Sequence, residues 1–128
     1  MSKRHEARII ALKALFEVDL TGHPVEDVIK RQLEANELPP EQEIFARAII
    51  TGTTGNQQEI DALIQKLAPA YPLYQLAPVD RNILRLAIYE VLHDNNVPAR
   101  VSISEAVELA KEFGADSSAK FINGVLSS

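Results

Sequence analysis

A chain of 128 residues with no cysteine and a net charge of −5 has room for one hydrophobic core and cannot draw on disulfides or thiolate chemistry. The acidic balance argues against non-specific coating of nucleic acid, and no apolar run reaches the ~20 residues of a membrane span. The first ten residues, MSKRHEARII, are too charged for a secretory signal and lack its small-residue cleavage pattern. The expectation is a cytoplasmic protein of one domain, residues 1–128.

Lys3 to Leu20 reads as a first helix, with Ala7, Ala11, Ala14, Leu15 and Val18 on one face and Glu6, Lys13 and Glu17 opposite. Between these faces Arg4, Arg8, Leu12 and Phe16 recur every four residues, with His5 alongside. Residues 1–16 carry four cations against Glu6 alone, a local net of +3. Thr21 to Pro24 breaks the chain, and a short helix to about Glu34 turns Val25, Val28, Ile29 and Leu33 inward. Pro39-Pro40 followed by Glu41 and Glu43 suits a third helix start. That helix runs to about Thr54 and is expected to bury Ile44, Phe45, Ala48 and Ile49, with Gly52 allowing another helix to come close. A fourth helix, Gln57 to Leu67, presents Ile60, Leu63, Ile64 and Leu67, and Pro69 and Pro72 end it.

Pro78 to Leu92, PVDRNILRLAIYEVL, is the core helix. Ile83, Leu84, Ala87, Ile88, Val91 and Leu92 cover about half its circumference, too wide an arc for a helix lying on a surface. Arg81, Arg85 and Tyr89 line one edge of the other half, where Leu86 stands alone. After a loop containing Asn95, Asn96 and Pro98, Ser102 and Glu105 match a capping box. The sixth helix carries Ala106, Val107, Leu109 and Ala110 and closes at Gly114. Asp116 or Ser117 caps a last helix through Leu126 with Phe121, Ile122, Val125 and Leu126 inward. Seven helical segments and no convincing strand make the fold class all-α.

Catalysis finds little support in these residues. His5, His23 and His93 are far apart, no HExxH-like spacing occurs, and Gly52 to Gly55 lacks the Lys-Ser/Thr of a phosphate loop. No metal site and no cofactor are expected. The Arg4–Arg8–Phe16 stripe has two readings: cations and a ring that bind single-stranded nucleic acid, or a core phenylalanine beside a solvated helix end. Lys120–Phe121 offers a cation and a ring where backbone N–H groups could face a phosphate, although Phe121 also fits the apolar arc. The Arg81–Arg85–Tyr89 stripe either presents donors to a partner protein or packs and pairs with neighbouring helices.

VDRNILRLAIYEVL, then VPARVSISEAVELAKEFG, then SSAKFINGVL closely resemble the C-terminal half of the NusB family of bacterial transcription antitermination factors. EARIIALKALFEVDL and FARAIITGTTGNQQEIDALI resemble its first helix and middle segment, so the likeness runs through essentially the whole chain. It implies an all-helical fold of two packed halves, about 1–70 and 71–128. It also implies binding of boxA, a single-stranded RNA element of ribosomal RNA leader transcripts, together with NusE, a small-subunit ribosomal protein. The complex would join RNA polymerase through other Nus factors. By matching motif, Arg8 and Phe16 on the first helix and Lys120 and Phe121 on the last carry over as RNA contacts, Arg4 less directly. The NusE surface of the family includes the start of the core helix, here Asp80 and its neighbours, which together with the stripe reading makes Asp80, Arg81 and Arg85 the expected partner-binding residues.

Three departures stand out. Many relatives have a richer arginine cluster where this chain has Arg4-His5-Glu6, and many have a linker tryptophan that Tyr71 or Tyr74 replaces here. Position 117, often acidic in relatives, is serine, which lessens repulsion of RNA beside Lys120. An alternative keeps the fold but makes the chain a protein-interaction module with little or no RNA binding. NusB-like domains also occur fused to ribosomal RNA methyltransferases, but no dinucleotide-binding-type segment is found here.

Overall fold

The computed structural model describes residues 3–94 and 96–128, and among these it holds seven α-helices, one short 3-10 turn and no strand. The helices are α1 (Lys3–Thr21), α2 (Val25–Ala35), α3 (Pro40–Gly55), α4 (Gln57–Leu67), α5 (Pro78–His93), α6 (Ala99–Phe113) and α7 (Ser118–Leu126). Leu73–Gln75 forms the 3-10 turn in the linker before α5. Of the loop ahead of α6, Asn95 lies outside the described residues. Prolines open α3 and α5 at their first turns, where the missing N–H costs nothing.

Helix α5 is the hub and packs against α1, α3, α4, α6 and α7. Every residue from Arg81 to Ile88 is buried, and so is Glu90. The burial is therefore all-round, wider than the half-circumference read from the sequence. Leu86, read as a lone apolar residue on a polar edge, is only 1 % exposed. Val91 and Leu92, read as part of the inward arc, are exposed because α5 emerges from the core in its last turn.

A helix buried on all sides must pair each polar side chain that it carries inward. Asn82 Nδ2 donates to Asp19 at 2.9 Å, and Arg81 reaches the same carboxylate from Nε at 2.9 Å and Nη2 at 2.7 Å. Arg85 forks onto Asp61 from Nε at 2.8 Å and Nη2 at 3.0 Å. The stripe thus ties α5 to α1 and α4. Burial alone would push the Asp19 carboxyl up, but hydrogen bonds from Asn82 and Arg81 hold it below the ordinary carboxylate value.

Two other expectations need correction. On α3 the buried side chains are Ala46, Ile49, Ile50 and Thr53, while Ile44 is 70 % exposed and Ala48 is exposed as well. Helix α3 turns its Ile49–Ile50 edge, not its Ile44–Ala48 edge, to α1 and α5. Helix α6 starts at Ala99 after Pro98, one turn before the proposed capping box. Ser102 is consequently inside the helix and buried, and Glu105 turns to His5 rather than to a helix end. Gly52 does permit a close approach: a Cβ there would lie 2.2 Å from the Tyr89 ring of α5.

Candidate nucleic-acid interface

The sequence places candidate RNA contacts at two ends of the chain, and the structure treats them differently. On α1, Arg4 is exposed, and its guanidinium lies 4.5 Å from the centroid of the Phe45 ring of α3. Arg8 is 2 % exposed and forms a fork with Glu90 of α5, Nε donating at 2.9 Å and Nη2 at 2.7 Å. Glu90 is itself fully buried, and Arg8 Nη1 also lies 3.7 Å from Glu105. A guanidinium spent in this way inside the core does not face a phosphate in solution, which corrects the reading of Arg8 as an exposed contact. The physical reason is the Glu90 carboxylate, which a buried helix cannot leave unpaired.

Next to this pair sits His5, buried, with Nδ1 2.8 Å from Glu105 and Nε2 3.3 Å from Glu112. Both ring nitrogens can donate at once only in the imidazolium form. The Glu105 carboxylate raises the imidazole above its ordinary value, burial opposes that rise, and Glu112 adds to it. Phe16 is half-buried and, among the described residues, is not one of the apolar side chains packed against the core.

The start of α7 is open. Lys120 is exposed, and Phe121 is half-buried with its inner side against the core. The Phe121 ring meets Tyr71 of the linker edge to face, centroids 5.2 Å apart at 74°. Asp80, Ser117, Tyr71, Lys120 and Phe121 line one cleft of about 430 Å³. Tyr71, Lys120 and Phe121 also line a second hollow of about 330 Å³, together with Leu67 and Pro69. Helix α7 begins after Ser117 without a side-chain cap, and Ser118 instead accepts a hydrogen bond from the Ala115 N–H at 2.9 Å. No carboxylate stands at position 117 to repel an anion.

The proposed partner-binding residues also divide. Arg81 and Arg85 are internal, and Tyr74 covers both, its ring centroid 4.8 Å from the Arg81 guanidinium and 5.8 Å from that of Arg85. Neither offers a free donor to a partner, which corrects the expectation drawn from their spacing. Asp80 is half-buried in the cleft, and its Oδ1 is closed off with no hydrogen-bond partner among the described residues. Sequence reading missed Tyr71 as the ring beside Phe121 and Glu90 as the counter-ion of Arg8. The second had a signal: Asn82, Leu86 and Glu90 share one line of α5, so a buried Leu86 implies a buried carboxylate. No cluster of three metal-ligating side chains occurs among the described residues, and none of the described helices is long and apolar enough to cross a membrane.

The model of the NusB family matches residues 5–128. The transcription antitermination protein NusB of Dehalococcoides mccartyi strain CBDB1 is 50 % identical over 127 residues, covering 99 % of this chain and 89 % of that protein. Among solved structures, T. maritima NusB superposes with a TM-score of 0.92 at 35 % identity, over 99 % of this chain and 89 % of that one. A chain from the crystal structure of antitermination factors NusB and NusE in complex with dsRNA gives 0.90 at 28 % identity, over 99 % and 95 %.

Proposed function

Because the chain belongs to the NusB family, we propose that it is a cytoplasmic, non-enzymatic antitermination factor. It binds boxA-type single-stranded RNA of ribosomal RNA leader transcripts together with NusE, and joins RNA polymerase through other Nus factors. The observation that carries the RNA reading is the open start of α7, where Lys120 and the Phe121–Tyr71 ring pair share one cleft at a helix N-terminus that no side chain caps. Lys120 neutralises a phosphate beside the helix N-terminus and the rings offer faces to bases. Arg4 and Phe16 extend the surface on α1. Arg8 serves it indirectly, by fixing the N-terminal part of α1 through Glu90.

Asp80 supports the NusE reading. Asp80 is half-buried in the lining of the cleft, so its carboxylate places a negative charge where a donor of a docking partner can pair with it. The shared cleft explains why the two ligands act together: one wall carries Asp80 and the other Lys120 and Phe121. With a net charge of −5, the protein alone binds RNA weakly, because approach anywhere except a basic edge meets repulsion.

The test is titration of boxA RNA with and without NusE. Binding that strengthens markedly with NusE, and that loses about 0.7 of its log–log salt slope in Lys120→Ala, is the expected result. Unchanged NusE affinity in Asp80→Lys would remove the cleft from the partner interface. No RNA dependence in either titration would leave the protein-interaction module as the function.

A further inference from the structure

Lys120 borders a third depression, between α6 and α7, separate from the two hollows that Tyr71 lines. It has a volume of about 620 Å³ and is lined by Arg100, Lys111 and Lys120, with Glu108 among them. The three cations come from the first turn of α6, its last turn and the first turn of α7, so they span the groove rather than cluster at one point. Among the described residues Glu108 is the one carboxylate lining it, and it lies 3.5 Å from Lys111 with both side chains about 60 % exposed. Such an exposed pair contributes little and gives way to a stronger anion. In a chain of net −5, a groove with three cations and one acid is an electrostatic exception.

Tyr71 stands against Phe121 and, with Lys120, lines the two hollows already described but not this groove. The residue is 52 % exposed, yet its backbone is pinned, the N–H donating to Ala68 at 3.1 Å and the carbonyl accepting from Gln65 Nε2 at 2.8 Å. A large ring on a fixed backbone is a stacking surface whose ordering cost is already met by the fold.

We infer that single-stranded RNA crosses α7 along one track: a base stacks on Tyr71, Lys120 meets the adjoining phosphate on the ridge, and Arg100 and Lys111 receive later phosphates in the α6–α7 groove. The inference rests on the RNA reading given above and extends it from the α1 edge to the far side of α7. It distinguishes two chemistries along the strand. The Tyr71 end contributes salt-independent stacking, and the groove contributes counter-ion release, which depends on salt but not on base identity.

The experiment measures affinity for a boxA oligoribonucleotide against salt, in the presence of NusE, for the wild type and for Arg100→Ala, Lys111→Ala, Tyr71→Leu and Tyr71→Phe. Circular dichroism and thermal midpoints confirm that each variant is folded. Each cation removed lowers the slope by about 0.7. Tyr71→Leu weakens binding by about 5- to 100-fold with the slope unchanged, and Tyr71→Phe restores it. Glu108→Gln strengthens binding. If folded Arg100→Ala and Lys111→Ala keep the wild-type slope while Lys120→Ala lowers it, the track is wrong and the RNA site stops at the ridge. If those two variants lose NusE affinity without changing the RNA slope, the groove belongs to a protein partner and the inference falls. If the wild type itself binds no RNA with NusE present, the underlying RNA reading fails and takes the track with it.

Discussion

Two regions of this molecule carry the same kind of residue, a cation next to a ring on a helix, and the fold uses them in opposite ways. At the α1 end, Arg8 is 2 % exposed and locked onto a fully buried Glu90. At the α7 end, Lys120 is exposed on a ridge between open hollows. The difference lies in what faces each helix. Helix α1 lies against α5, which carries a carboxylate inward, whereas the start of α7 faces the linker, which supplies Tyr71 and no buried acid. A basic residue near a ring is therefore a binding contact only where no internal acid claims it.

The largest expected effect comes from breaking the closed side. Arg8→Ala strands the Glu90 charge in the core and should cost about 3–5 kcal/mol, whereas Lys120→Ala, on the exposed ridge, should stay within about 0.5 kcal/mol. Urea unfolding of both variants checks this, and equal, small losses would show that α1 is not held by the pair.

The α3–α5 contact is the next test of closure. A Cβ at Gly52 would meet the Tyr89 ring at 2.2 Å, whereas a Cβ at Gly55 has nothing within 4 Å. Gly52→Ala should therefore cost about 1–3 kcal/mol through overpacking. Gly55→Ala should be neutral or gain up to about 1 kcal/mol from helix propensity. Removing the ring with Tyr89→Ala should abolish the Gly52→Ala penalty in a double-mutant cycle. A penalty that survives there would place the strain elsewhere.

A smaller, pH-dependent effect separates the two ends further. His5 faces Glu105 and Glu112 of α6, with the Arg8 guanidinium beside Glu105, and its folded pKa is raised. Its contribution to stability is then fully present below the ordinary histidine value of about 6.5 and is lost as pH rises through the higher folded value. Thermal midpoints from about pH 6 to 9 should fall more in the wild type than in His5→Gln. Matching profiles would mean that the imidazole is neutral in the folded protein throughout.

Much of the architecture was legible before any coordinates. The breaks at Thr21–Pro24, Pro39–Pro40, Gly55, Pro69–Pro72, Asn95–Pro98 and Gly114, and the apolar spacing between them, fix seven helices whose bounds agree with the structure to within a turn. Proline and glycine act on the local backbone, and helical periodicity is a property of one segment, so both can be read from a single chain. The same holds for the choice of α5 as the hub, since an apolar arc that wide cannot lie against one neighbour. The errors fall where two segments meet. Ile44 and Ala48 share a plausible apolar edge with Phe45, but α1 and α5 lie against the other edge of α3, so Ile44 is left 70 % exposed. The α5 arginines look like a surface stripe until Asp19 and Asp61, 62 and 24 positions away from their nearest partners Arg81 and Arg85, turn up beside them.

The sequence by itself determined the helices, the core helix and the absence of cysteine chemistry, because each is written in local spacing or composition, and its long C-terminal motifs carried the resemblance to the family. Only the tertiary structure decided which cations are available: Arg8, Arg81 and Arg85 are spent inside, while Arg4, Arg100, Lys111 and Lys120 remain on the surface. The reason is physical. A buried charge must find its counter-ion across the fold, and no local pattern records which distant carboxylate that will be.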